Sequence, residues 1–343
     1  MALLTTCAEG EFVRYKNFGG TDLKVSEIGF GCAGLGGILA RNQAKGESAQ
    51  ALLQKAYEEG ITFYDTADMY TQGESETLIG QVFHTKRDKV VIASKGGYCL
   101  PAQRKFIARL KPLVRPLARA LGIKRGNLPA SVAGTLSQDF SPHYLSEAVE
   151  ASLRRLKTDY LDLYQLHSPP STVIELGEFI APLEKLKSQG KIRHYGIAVD
   201  TVADAVLCLK YSEIASVMLP FGLLDLEALD SFLLQVEEED RNLAVIARGC
   251  FGGGLLKPDL TEQQLKEQTP KWPRILTCRS LADQHGRSLL DIALQFSLSI
   301  NQISVTLLGM RTESHLRANL KYLASPPLSE TEVRAFATAQ APN

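Results

Sequence analysis

The sequence predicts an α/β protein folded as a (β/α)8 TIM barrel, on the strength of three observations. Eight short apolar runs recur along the chain, at residues 28–31, 62–65, 90–94, 161–166, 193–197, 216–219, 243–247 and 304–308. Strands buried on both faces read as such near-continuous runs. Between them, segments 47–59, 145–156, 180–189 and 289–299 carry apolar residues at helical spacing. Strand and helix in alternation make a parallel sheet covered by helices, and 343 residues suffice for one closed barrel. One barrel domain over residues 1–343 is therefore expected.

Taken in order, residues 10–27 alternate and contain Phe18-Gly19-Gly20-Thr21, the pattern of a β-hairpin capping one barrel end. The first strand, 28–31, runs into the glycine cluster GFGCAGLGG at 29–37. A doubly wound open sheet is announced by G-x-G-x-x-G leading directly into a helix. Here Gly34, Gly36 and Gly37 have a different spacing and helical periodicity resumes only near Glu47, so the open sheet is set aside. In 145–156, Leu145, Val149, Leu153 and Leu156 fall on one helical face. Residues 98–142 form a long insertion after the third strand, too long for an ordinary strand-to-helix connection. It contains Arg104, Lys105, Arg109, Lys111, Arg115, Arg119, Lys124 and Arg125, with no acid before Asp139. Two readings stand side by side: a basic lid that attracts anionic substrates, or a surface helix whose charges are simply solvated.

Composition narrows the function. With 38 basic and 38 acidic residues the net charge is zero, which argues against nucleic acid as the main partner. No run reaches the ~18 apolar residues of a membrane span, and residues 1–12 lack the basic start and apolar core of a secretory signal. Cys7, Cys32, Cys99, Cys208, Cys250 and Cys278 show no CxxC spacing, so reduced thiols, a cytoplasmic location and no metal centre are expected.

In a barrel the chemistry sits at the C-terminal ends of the strands. The second strand ends in Asp65, with Tyr70 five residues on; the third ends in Lys95 and the fourth in His167. This set suits proton-coupled hydride transfer. A carbonyl that accepts hydride becomes an alkoxide and needs a proton, which a phenol supplies when an ammonium group eases its ionisation. The carboxylate keeps that ammonium charged and in place, and a neutral imidazole hydrogen-bonds the carbonyl oxygen. None of the four is itself a redox group, so a nicotinamide cofactor is implied. A metal-dependent hydrolase would need clustered ligands, and only His167 and Asp65 are available. His84, His143, His194 and His285 match no catalytic pattern and read as surface residues.

The stretch from Tyr64 through Asp65, Thr66, Ala67, Asp68 and Met69 to Tyr70, followed by Gly73-Glu74-Ser75-Glu76 and Gly80, resembles the DTAxxY and GxSExxLG signature of the aldo-keto reductases. Ala93-Ser94-Lys95 and Asp162-Leu163-Tyr164-Gln165-Leu166-His167 resemble the next two family motifs, and the likeness runs from about Arg14 to Leu323. It implies the tetrad Asp65, Tyr70, Lys95 and His167, with Tyr70 as general acid/base, and a small-molecule carbonyl or alcohol substrate. It also implies a cofactor site: Arg248, Gly249 and Gly254 in the loop after the seventh strand, wrapping a pyrophosphate, and Gly309, Met310, Arg311, His315 and Asn319 after the eighth. There helix N-terminal amides receive phosphate, Asn319 matches an adenine-contacting asparagine, and Arg311 offers a partner for a 2′-phosphate. NADP(H) is thus expected over NAD(H), although His315 stands where many members carry arginine or glutamine. At the nicotinamide end, Gly196-Ile197-Ala198-Val199-Asp200 replaces the family's common GVSN, and Met218 and Gly222 replace its Gln and Asn. Branches such as the L-galactose dehydrogenase-like one vary here too. A non-catalytic nicotinamide-binding sensor on the same fold is the alternative that these losses raise.

Overall fold

The computed structural model describes residues 13–36, 48–99 and 137–339. Tyr15–Asn17 (β1) and Lys24–Ser26 (β2) pair antiparallel as the expected hairpin. Ile28–Gly31 (β3), Phe63–Asp65 (β4) and Val91–Gly96 (β5) follow, then the short antiparallel pair Tyr98–Cys99 (β6) and Ser137–Gln138 (β7). Leu161–His167 (β8), Ile192–Ala198 (β9), Ser216–Pro220 (β10), Ala244–Arg248 (β11) and Ile303–Gly309 (β12) complete the set. Strands β3, β4, β5 and β8 to β12 pair in parallel in that order, and β12 returns to β3 to close a barrel. Each apolar run of the sequence is a barrel strand. The basic residues Arg104 to Arg125 lie outside the described residues; only the base of the insertion, β6 and β7, is within them.

The helices are Ala49–Glu58 (α1), Glu74–Phe83 (α2), Pro142–Leu156 (α3), Ser171–Leu176 (α4), Ile180–Ser188 (α5), Val202–Cys208 (α6), Leu234–Glu238 (α7), Glu262–Gln268 (α8), Trp272–Gln284 (α9), Leu289–Leu298 (α10), Glu313–Leu323 (α11) and Glu330–Thr338 (α12). Many start where a hydroxyl caps the first turn: Ser48, Ser141, Thr201, Ser288, Thr312 and Ser329 each accept from a backbone N–H of that turn. Pro142 stands in the first turn of α3, where its missing N–H costs nothing.

Strand alternation divides the core in two. Inward residues Phe63, Val91, Ala93, Leu163, Ala198, Met218, Ala244, Ile246, Val305 and Leu307 form one buried cluster, closed at its base by Phe18, Leu23 and Val25 of the hairpin. The rings of Phe18 and Phe63 lie 5.7 Å apart. The hairpin fits so closely that a Cβ at Gly19, whose φ is +55°, would stand 2.6 Å from the backbone of Ala244 and Asn242. Outward residues such as Tyr64, Ile92, Tyr164 and Ile197 pack against the helices in the second, larger cluster. At the hairpin end of the barrel, buried Asp162 accepts from the Ile92 amide and pairs with Arg87 and Arg193.

Helix α2 approaches the end of α3 at Gly80, where a Cβ would lie 2.5 Å from the carbonyl oxygen of Leu156. Alanine there gains ~1 kcal/mol of helix propensity but forces two backbones apart, at a cost of about 1–3 kcal/mol. Gly80→Ala is expected to lower the thermal unfolding midpoint; a higher midpoint would show that the helices re-space freely.

Candidate active site

The period of two that fills the barrel interior also places the polar groups at its mouth. Two residues beyond Phe63 stands Asp65, two beyond Ala93 stands Lys95, four beyond Leu163 stands His167, and two beyond Ile246 stands Arg248. All four line a cavity of about 350 Å³ together with Tyr70. The four residues of the expected tetrad are therefore side by side.

Lys95 is the hinge of the arrangement. Its ammonium donates to Asp65 Oδ1 at 2.6 Å and to the Thr66 carbonyl at 2.8 Å, and lies 5.1 Å from the centre of the Tyr70 ring. Burial alone would discharge it, but Asp65 and Tyr70 more than offset that and hold it charged. Burial pushes the Asp65 carboxyl upward, and Lys95 draws it back. For Tyr70, burial raises the phenol and outweighs the lowering by Lys95, so its net shift is upward. This differs from the expectation that the ammonium would bring the phenol down: a largely buried phenolate loses more hydration than one neighbouring cation returns. His167 meets the Tyr70 ring edge-on, centres 5.7 Å apart. Burial, Lys95 and Arg248 push its pKa down to about 3, so the imidazole is neutral across ordinary pH. Its Nδ1 is buried and has no hydrogen-bond partner among the described residues.

The loop that carries Tyr70 is fixed through its backbone. Thr66 and Asp68 donate to the carbonyls of Ala93 and Lys95, at 2.8 and 3.0 Å. Immediately after Tyr70, Thr71 and Gln72 adopt φ of 49° and 63°, in the left-handed region that side chains avoid. Ser168, next to His167, does the same at 49°.

Of the expected cofactor residues, Arg248, Gly249, Gly309, Met310 and Arg311 line the cavity; Gly254, His315 and Asn319 lie outside its lining. Arg248 donates to the Val199 carbonyl at 3.0 Å and pairs with Asp200, tying the ends of β11 and β9 across the mouth. Gly249 and Gly253 have φ of +83° and +65° with open space where a Cβ would stand, a backbone that a phosphate can approach. Asn319 is buried, with Nδ2 unpartnered among the described residues. These features fit the pyrophosphate and adenine ends of a nicotinamide dinucleotide. At the nicotinamide end, Ala198 and Met218 line the cavity and offer no side-chain hydrogen bond.

Sequence reasoning missed several residues at or beside the cavity. Gly31, Ala33 and Gly34 border the cavity, and a Cβ at Gly34 would come within 3.0 Å of Arg311 Nε. The glycine cluster thus makes room for the arginine. Tyr98, from β6, meets the His167 ring edge-on at 4.9 Å. Gln138 of β7 donates to the carbonyls of His167 and Ser168, at 3.2 and 2.8 Å. The base of the insertion is therefore pinned to the tetrad. Burial pushes the thiols of Cys208 and Cys250 up to about 12, away from nucleophilic or redox chemistry. Among the described residues no group of three or more His, Cys, Asp or Glu side chains is placed to hold a metal ion, and no helix is long and apolar enough to cross a membrane.

Comparison with known proteins agrees with this geometry. The model of the Aldo/keto reductase family matches residues 27–341. An uncharacterized oxidoreductase of Bacillus subtilis (strain 168) is 29% identical over 94% of this chain and 95% of its own length. L-galactose dehydrogenase of Arabidopsis thaliana is 26% identical over 90% of this chain and 87% of its own. The holo form of an aldo-keto reductase from Bacillus halodurans superposes with a TM-score of 0.73 at 27% identity, covering 96% of this chain and 97% of that one. The chain belongs to the aldo/keto reductase family and is an NAD(P)-dependent oxidoreductase of carbonyls and alcohols.

Proposed function

We propose that the chain interconverts a small aldehyde, ketone or sugar and the corresponding alcohol, with Tyr70 as the group that gives and takes the proton. The observation that supports this most is the Lys95 ammonium, anchored by Asp65 and set against the Tyr70 ring, with a neutral His167 across the cavity. The bound nicotinamide supplies or accepts the hydride. His167 presents an N–H to the carbonyl oxygen and fixes its direction. Tyr70, protonated because of its burial, delivers the proton as charge develops on that oxygen, and Lys95 stabilises the phenolate left behind. A screen of aldehydes, ketones and sugars with both NADPH and NAD+, followed by absorbance, tests the reading; no turnover with any of them would favour a sensor over an enzyme.

NADP(H) is proposed as the preferred cofactor, with Arg311 as the partner of the 2′-phosphate. Arg311 lines the cavity beside Gly34, at the entry to α11. A charge-assisted bond to phosphate contributes about 1.5–3 kcal/mol. Arg311→Ala is expected to weaken NADPH binding by roughly tenfold or more while leaving NADH nearly unchanged. Titration of cofactor fluorescence reads both, and equal weakening of the two removes Arg311 from that role. The domain that does this is taken as one unit over residues 1–343, acting in the cytoplasm.

A further inference from the structure

Behind the tetrad, on the helix side of β5, lies a half-buried acid that the reaction does not use. Asp68 stands two residues before Tyr70 on the same loop, and its amide is tied to the Lys95 carbonyl at 3.0 Å. Its Oδ2 faces the Tyr144 hydroxyl of α3 at 3.3 Å, and its Oδ1 is buried without a partner among the described residues. The same Tyr144 hydroxyl faces the Tyr98 carbonyl at 3.1 Å. Tyr98 in turn carries the ring that packs edge-on against His167. The other ionisable groups around the acid are Glu76 of α2, Arg155 of α3 and Tyr164 of β8, with Cys99 of β6 near Tyr144. Arg155 is already committed to Glu76, at 2.5 Å, and so compensates Asp68 only weakly.

The Tyr144 hydroxyl has one proton and two acceptors to serve, the Asp68 carboxylate and the Tyr98 carbonyl. While Asp68 is ionised, the stronger acceptor is the carboxylate, and the bond to Tyr98 is the one forgone. Once Asp68 is protonated, its own O–H donates to the Tyr144 oxygen, and Tyr144 is free to donate to the Tyr98 carbonyl. Both bonds are then made, and β6 is held at the mouth of the barrel.

We propose that Asp68 is a positioning residue whose protonation state sets, through Tyr144, how firmly the Tyr98 ring is held against His167, and with it the direction that His167 gives the substrate carbonyl. Burial, with Glu76 adding to it, pushes the Asp68 carboxyl up to about 7. The sign follows: the acid is neutral below that value and the ring is fixed; above it the acid is ionised and the ring loosens. Because Tyr98 reaches the substrate only through the His167 ring and transfers no proton, the change belongs in KM more than in kcat.

The test is the pH profile of KM for glyceraldehyde, a neutral probe, at saturating NADPH from about pH 6 to about pH 8. Wild-type KM is expected to rise by about threefold to tenfold over that range, the worth of one hydrogen bond. Asp68→Asn is neutral at every pH and is expected to give a flat profile. Tyr144→Phe breaks the relay and is expected to give a flat profile at the high, alkaline KM. An Asp68→Asn enzyme that keeps the wild-type dependence overturns the proposal. The kinetic arm rests on His167 acting on the carbonyl; a carbon-13 titration of the aspartate carboxyls does not. A resonance that titrates near neutral pH and vanishes in Asp68→Asn is expected. Its absence overturns the proposal whether or not glyceraldehyde is turned over, whereas a tetrad that is not the reaction centre shows itself in the turnover of Tyr70→Phe.

Discussion

Replacing Tyr70 by phenylalanine is expected to lower kcat by on the order of 10²-fold or more, with cofactor affinity nearly unchanged. The substitution removes one hydroxyl and leaves the ring that packs edge-on against His167. Lys95 keeps its bonds to Asp65 and to the Thr66 carbonyl, so the cavity retains its shape and charge. What is lost is the proton at the developing alkoxide. Single-turnover measurements separate this from slower cofactor exchange, and near wild-type turnover in the variant would remove Tyr70 from its role. The upward shift of the phenol adds a direction. Reduction needs the protonated phenol and is expected to hold through neutral pH and decline as pH rises. Oxidation needs the phenolate and is expected to gain over the same rise.

The parts of this site that were legible in the sequence share a physical reason. Parallel strands covered on both faces leave apolar runs that stand out, and a lysine or histidine closing such a run has nowhere to go but the mouth of the barrel. Lys95 after Val91–Ala93 and His167 after Leu161–Leu166 are of this kind. Tyr98 was not, because its meeting with His167 depends on a two-residue strand that pairs with Ser137–Gln138 across a long insertion. Asp68 was legible only as a variable letter inside the DTAxxY motif. Its setting is made by residues from β5, α2, α3 and β8, which no local pattern joins. Gly34 was read as part of a failed nucleotide motif, whereas its missing side chain makes room for Arg311, which lies far along the chain on the neighbouring barrel strand's exit.

Lys95→Met is the substitution expected to damage the protein most, since it strikes stability and chemistry together. The Lys95 and Asp65 side chains are 2% and 5% exposed. Removing the cation leaves the Asp65 carboxylate buried without its ion pair and the Thr66 carbonyl without its donor. Breaking a buried pair in this way costs about 3–5 kcal/mol, above the ordinary range for a point mutation. In the variant only the weaker pull of Arg248 still draws the Asp65 carboxyl back, so its folded-state pKa rises further above the unfolded value. A carboxyl raised in this sense keeps its stability below the unfolded pKa and loses it as pH rises through the folded one. The deficit of Lys95→Met is therefore expected to be small in acid and to grow toward neutral pH. Denaturant unfolding at two pH values measures this, and a deficit that does not change with pH would mean that Asp65 finds another partner. Adding Asp65→Asn removes the stranded charge and is expected to restore most of the stability, since a buried pair is often replaceable by neutral groups. Turnover is expected to stay low in the double variant, because no ammonium remains to stabilise the Tyr70 phenolate. Recovery of stability without recovery of rate separates what the ion pair does for the fold from what Lys95 does for the proton.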